Sequence, residues 1–267
     1  MRPDSTRDST SRDVATINRT FYDAFWRKAH LARPDGFNTW PLVSELLPSA
    51  PARLEIGPGL RPRLPIAGTH FIDICEPVIE RLSARGGIAT PGDIGTLAFG
   101  DREFDLVCAF DVIEHVEDDR QVFAEVSRVL KDDGVLICSV PLHADRWTEF
   151  DEWVGHARRY DPSELLAIMA GNQLALERSA VFGMQPANPR LVKCGMWYLE
   201  HRRAWAMFWY NWVGLPLAMR FQKRLKLEPG LIDTTGVDEV VLVCRRRARS
   251  SPLQGGTDQG RPLQAEG

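Results

Sequence analysis

The stretch Arg53-Leu54-Glu55-Ile56-Gly57-Pro58-Gly59 decides the fold. A short apolar run ends in two glycines two positions apart, where the missing Cβ lets backbone approach a ligand closely. His70-Phe71-Ile72-Asp73-Ile74 is a second such run, and only Pro58 to Thr69 separate the two. A parallel crossover needs about a dozen residues. Pro62 and Pro65 fall inside this one, so a shortened or absent first helix is expected.

Toward the C-terminus strands and helices alternate. Glu76 to Arg85 reads as a helix ended by Gly86-Gly87, and Thr90 to Ile94 carries a short third strand and its exit loop. Phe104 to Phe110 is a fourth strand, Asp118 to Leu130 an amphipathic helix, and Gly134 to Val140 a fifth strand. Pro162 to Ala170 is a helix with Asp161 as its N-cap, and Leu174 to Val181 and Val237 to Arg245 are further strands. Near-continuous apolar strands separated by helices indicate a mostly parallel sheet covered on both faces. Toward the N-terminus, Val14 to His30 has one apolar helical face, Arg33-Pro34-Asp35-Gly36 breaks it, and a second helix starts at Asn38 or Thr39 and runs to Leu47.

The 267 residues are 44% hydrophobic and 26% charged, which suits one large globular domain with appendages and excludes a disordered or collagen-like chain. A formal net charge of -3 offers no basic field for nucleic acid. Five cysteines, none in a C-x-x-C pair, fit a reducing compartment and suggest no metal set. Met1 to Asp13 has no apolar core of a secretory signal, so a cytoplasmic location is expected.

Ligands on such sheets bind beyond the carboxyl ends of the strands. The loops there hold Gly57 and Gly59, Asp73, Asp93-Ile94, Asp111-Val112-Ile113-Glu114-His115 and Val140-Pro141-Leu142-His143. A carboxylate at 73 can accept from both hydroxyls of a ribose. An acid beside an apolar side chain at 93–94 suits the edge and face of an adenine.

With Gly155-His156-Ala157-Arg158-Arg159-Tyr160 added, the pattern resembles the class I S-adenosylmethionine (SAM)-dependent methyltransferases, in the small-molecule branch with E-x-G-x-G, D-V-I-E-H-V and G-H-x-R-R-Y motifs. The resemblance covers roughly residues 50–182 and the strand from Val237. It implies a Rossmann-like, doubly wound, mostly parallel seven-stranded sheet with a helical insertion before the last strand. It also implies that Gly57 and Gly59 hold the methionine portion of SAM, with Glu55 near its ammonium. Asp73 and Ile74 would serve the ribose side, Asp93 and Ile94 the adenine, and Phe110 the methionyl chain. The family's third loop glycine is Arg61 here. A nicotinamide oxidoreductase is disfavoured, since a pyrophosphate wants a helix N-terminus aimed at it. A non-catalytic SAM- or nucleotide-binding module is the other alternative.

Methyl transfer needs alignment first, and a base only where the acceptor must lose a proton. His115, His143, His156 and Tyr160 are the candidates. Each also has a plain structural reading, as a loop-fixing or packing residue.

Gly183 to Gly236 is far longer than a hairpin loop and holds Trp197, Trp205, Trp209 and Trp212, half of the chain's eight tryptophans. Its longest uncharged stretch, Ala204 to Met219, has 16 residues, short of the roughly 20 that span a bilayer. Three readings follow: a helical cap on the sheet edge, a lid over an apolar acceptor pocket, or peripheral membrane contact through residues 197–227 with basic flanks. The expected organisation is a disordered tail (1–13), a helical extension (14–50), the SAM-binding core (51–182 and 237–246), the aromatic-rich insertion (183–236) and a second tail (247–267). The expected activity is methyl transfer from SAM to a small, apolar acceptor.

Overall fold

In the computed structural model, residues 21–183 and 189–248 are described. The two tails beyond them, the start of the helix expected from Val14, and residues 184–188 of the insertion lie outside the described residues.

One sheet organises the chain. Its strands are β1 (Arg53–Ile56), β2 (His70–Asp73), β3 (Ile88–Pro91), β4 (Phe104–Phe110), β5 (Leu130–Pro141), β6 (Leu174–Phe182), β7 (Glu228–Pro229) and β8 (Glu239–Arg246). They lie in the order β3-β2-β1-β4-β5-β8-β6-β7. β3 through β5 pair in parallel, while β8 runs antiparallel between β5 and β6. The expected seven strands become eight because Glu228–Pro229, at the end of the insertion, pairs with Arg178 and Ser179 on the sheet edge. Two residues ending in proline carry no periodicity for a sequence reading to detect.

The helices are α1 (residues 21–26), α2 (Trp40–Leu46), α3 (Glu76–Ser83), α4 (Asp119–Val129), α5 (Glu149–Val154), α6 (Pro162–Gly171), α7 (Pro189–His201), α8 (Arg203–Trp209) and α9 (Leu215–Arg220), with a π turn at Tyr210–Gly214. No helix stands between β1 and β2. Asp118 caps α4 by accepting from the Gln121 N–H. Asp161 occupies the N-cap position of α6 but makes no side-chain cap bond. There Pro162 carries no N–H to satisfy and presets the helical φ, so the start does not depend on the carboxylate.

β4 reads as a continuous apolar run because both its faces are covered. Val107 and Ala109 pack with Phe123 and Val126 of α4 and Ile168 of α6 on one face. Leu106, Cys108 and Phe110 pack with Leu42 and Val43 of α2 on the other. A third cluster joins α1, α3 and Phe71. No helix among the described residues is long and apolar enough to cross a membrane.

Candidate active site

Strand order reverses between β1 and β4, and the loops after these strands open a crevice there. The first loop is built around glycine. Gly57 and Gly59 have φ of +59° and +53°, a region L side chains rarely adopt. A Cβ at 57 would lie 2.4 Å from Val112 Cγ2, and one at 59 only 2.2 Å from the Trp26 ring.

Two carboxylates hold this loop. The Gly59 N–H donates to Asp73 Oδ2 at 3.0 Å and the Cys75 N–H to Oδ1 at 2.9 Å. The N–H groups of Arg63 and Leu64 donate to the two Glu55 oxygens at 2.8 and 2.9 Å. Both acids are buried, with 1% of Glu55 and 5% of Asp73 exposed. Burial raises the Glu55 carboxyl to about 7 against the pull of the two amides. It raises Asp73 too, against the pull of the Cys75 and Gly59 N–H groups.

α1, α5 and α7 cover the crevice and leave a cavity of about 780 Å³. Glu55, Gly57, Asp73, Ile74, Asp93, Ile94 and Phe110 all line it. Gly59 lies under the Trp26 ring instead. Asp93 also accepts from the Gly95 N–H at 2.7 Å, so turn chemistry orients its carboxylate. Phe110 faces Phe182, with ring centres 5.7 Å apart.

Of the four candidate catalytic residues, His115 and His156 line the cavity. His115 Nδ1 lies 3.0 Å from the Gly155 carbonyl, so that nitrogen carries the proton, and Nε2 lies 3.4 Å from the Tyr22 hydroxyl. Burial, then the nearby His156, holds His115 down to about 3, so the ring stays neutral. His156 Nδ1 lies 2.9 Å from Asp151 Oδ1. The other two candidates are not among the lining residues. His143, at φ +64°, lies with Nε2 2.8 Å from the Thr234 carbonyl. Tyr160 is packed in the core beside Leu142 and Leu165, and burial raises its hydroxyl. The Arg pair of the same segment anchors it: Arg158 pairs with Asp119 at 2.9 Å, and Arg159 with Asp151 at 2.9 Å and Asp238 at 2.7 Å.

Several lining residues had no site role assigned from the sequence. Tyr22 and Trp26 arrive from α1, and Asp111, Arg61, Arg63 and Glu239 from strand ends and loops. The Arg63 guanidinium lies 3.8 Å from the Phe37 ring centre and 5.3 Å from that of Phe110. Burial, then the nearby Asp111, raises Glu239 well above the usual carboxyl range. Glu114, His115 and His156 bring one ligand atom each within 4.8 Å of one another, a set able to hold a cation. Only the chain fold shows this, since 40 residues lie between the two histidines.

Residues 56–138 match the profile of the methyltransferase domain family. No curated protein matches the chain in sequence. Among solved structures, the chain is similar to a SAM-dependent methyltransferase of Thermotoga maritima, described as a possible histamine N-methyltransferase, with TM-score 0.54 and 17% identity over 89% of this chain and 97% of that one. It is also similar to a chain of the complex between the Haloferax volcanii Trm112 methyltransferase activator and a methyltransferase, with TM-score 0.53 and 15% identity over 88% and 100%. At these identities the likeness is one of fold.

Proposed function

We propose that this chain, a SAM-dependent methyltransferase with the class I fold, transfers the methyl group to a small, apolar acceptor held under α1 and α7. The observation that carries the reading is the tie between Gly59 and Asp73, which sets a glycine loop and a buried carboxylate side by side at the sheet's switch point.

The residues present suit this cofactor. Close backbone at 57–59 and the absence of a helix between β1 and β2 favour a ligand without a pyrophosphate, which weighs against a nicotinamide dinucleotide. In our reading Asp73 accepts from the ribose hydroxyls, with Ile74 beside it. Asp93 accepts from the adenine amino group while Ile94 packs on the ring. Gly57 bounds the methionine portion, Gly59 lets the loop turn beneath Trp26 behind it, and Phe110 closes the far side. Glu55, whose two oxygens accept from the Arg63 and Leu64 N–H groups, fixes the loop at the methionine end of the cavity.

SAM, when bound, supplies an electrophilic methyl group on sulfur; an acceptor lone pair forms the new bond and the sulfur keeps the old bonding pair. The protein's part is alignment in a space shielded from water. The walls supplied by Phe21, Tyr22, Phe150, Trp153, Leu191 and Met196 suit an apolar acceptor body. His115 and His156 are the groups we place beside the acceptor atom: the neutral His115 ring, held by Gly155, orients it, and His156, with Nδ1 turned to Asp151, leaves Nε2 to accept its hydrogen as the bond forms. Titration calorimetry with SAM and, separately, NADH tests the reading. Binding of SAM alone is expected, and binding of NADH alone would overturn it.

A further inference from the structure

The insertion turns much of its apolar surface outward. Trp205, Phe208, Trp209 and Trp212 stand at i, i+3, i+4 and i+7, one stripe along α8 and the π turn. Beyond the turn Leu217 and Phe221 are exposed as well. Trp205 is 64%, Trp212 63% and Phe221 77% exposed. The inward positions are Met207, buried against the α1 cluster, and Leu215, buried against Phe37. A contiguous apolar surface of this kind marks an interaction site.

Charge selects the partner. From His201 to Leu227 there are six cations, Arg202, Arg203, Arg220, Lys223, Arg224 and Lys226, and no Asp or Glu, in a chain of net charge -3. None of the six forms a salt bridge among the described residues. A second copy of this chain, docked symmetrically, would set these cations against themselves. An anionic bilayer offers them counter-charge and offers the indole rings a headgroup layer.

A groove of about 540 Å³ runs between α7 and the α8–π segment, lined by Tyr198, Leu199, Trp205, Ala206, Trp209 and Val213. Gly195, Leu199 and Tyr210 line both this groove and the main cavity. The groove under the exposed aromatic face and the candidate active site thus lie side by side, with these three residues as their common wall.

We propose that this groove holds the hydrocarbon chain of a membrane-borne amphiphilic acceptor. The aromatic face rests on an anionic bilayer, and the acceptor's polar head reaches the cavity. The assignment rests on the methyl-transfer reading for the identity of the acceptor, and its test is independent of turnover.

Flotation of the full chain with phosphatidylcholine vesicles, and with the same vesicles carrying phosphatidylglycerol, tests the face. Binding to the anionic vesicles is expected, weakening as salt is raised. The triple variant F208S/W212S/F221S should lower that partition by about tenfold or more, since binding scales with buried apolar area. No vesicle binding, equal binding to both vesicle types, or a variant that binds like wild type overturns the proposal. The groove is tested with dodecanol, followed through the fluorescence of Trp205 and Trp209. Binding by wild type, and its loss in Ala206→Phe and in Val213→Phe, is expected. Absence of binding by wild type, or undiminished binding by both variants, overturns the proposal. Calorimetry with SAM on the same proteins keeps the two readings apart. Retained SAM affinity without vesicle or dodecanol binding sinks this proposal alone, and a wild type that ignores SAM sinks the methyl-transfer reading.

Discussion

The Arg61 guanidinium lies 5.0 Å from the centre of the Tyr210 ring and 5.6 Å from that of Trp26. One side chain of the glycine loop thereby meets both covers of the cavity, α1 and the insertion. The position is the one where the resemblance calls for a third glycine. A long cation lies among Phe25, Trp26 and Tyr210 and ties the helix-free loop to its covers.

Arg61→Ala should loosen these covers more than the sheet. A loss of about 1–2 kcal/mol is expected from the desolvated cation–π contacts. Hydrogen exchange should quicken in residues 21–26 and 203–214 while β4 and β5 keep their protection. Uniform loss of protection across the molecule would contradict this.

Asp73→Ala removes the acceptor for the Gly59 and Cys75 N–H groups and, in our reading, for the ribose. SAM affinity should fall by about 1–3 kcal/mol, the scale of a lost hydrogen bond to a charged group. Calorimetry on the folded variant measures it, and unchanged affinity would remove the ribose assignment.

Gly59→Ala meets two obstacles, the φ of +53° and the Trp26 ring 2.2 Å from the new Cβ. The backbone strain alone costs about 1–2 kcal/mol. Adding Trp26→Ala should recover the steric part and leave the backbone part. Thermal unfolding of the single and double variants separates the two, and no recovery in the double variant would place the whole cost in the backbone.

His115→Ala should leave SAM affinity nearly intact and slow turnover by about tenfold or more, because its neutral ring orients the acceptor. Once an acceptor is found, the kcat of the variant decides. Equal turnover would leave His115 a packing residue bound to Gly155.

The stability of the protein should carry the mark of Glu55. Its carboxyl is raised from near 4.5 to about 7 by burial, so folding favours the protonated form. That contribution is fully present below pH 4.5 and is lost as pH rises through 7. Glu55→Gln stays neutral throughout. Denaturant titrations from pH 4 to pH 8 should show wild type losing stability relative to the variant over this window. A difference that is flat with pH would refute it.

The grouping of these residues was legible in the sequence because each residue proposed to hold the cofactor stands at the end of an apolar run, and a run's end is a local property. Glu55, Gly57, Asp73, Asp93 and Phe110 are such positions, and all five line one cavity. His143 ends a run in the same way, yet its left-handed backbone points the ring at Thr234. Tyr160 sits in a segment that reads as a loop, but its isolated pairing with Leu142 draws it into the core. A side chain's direction depends on backbone angles and neighbours that spacing does not carry.

By itself, the sequence determined the mostly parallel sheet, a first helix shortened or absent, and the group of acids at the strand ends, since these follow from periodicity, proline and chain length between strands. The tertiary structure alone decided what covers the crevice. It brought Trp26 over Gly59, Arg61 against Tyr210, and Glu114 beside His115 and His156, because contacts between segments far apart in the chain are set by packing and leave no local pattern.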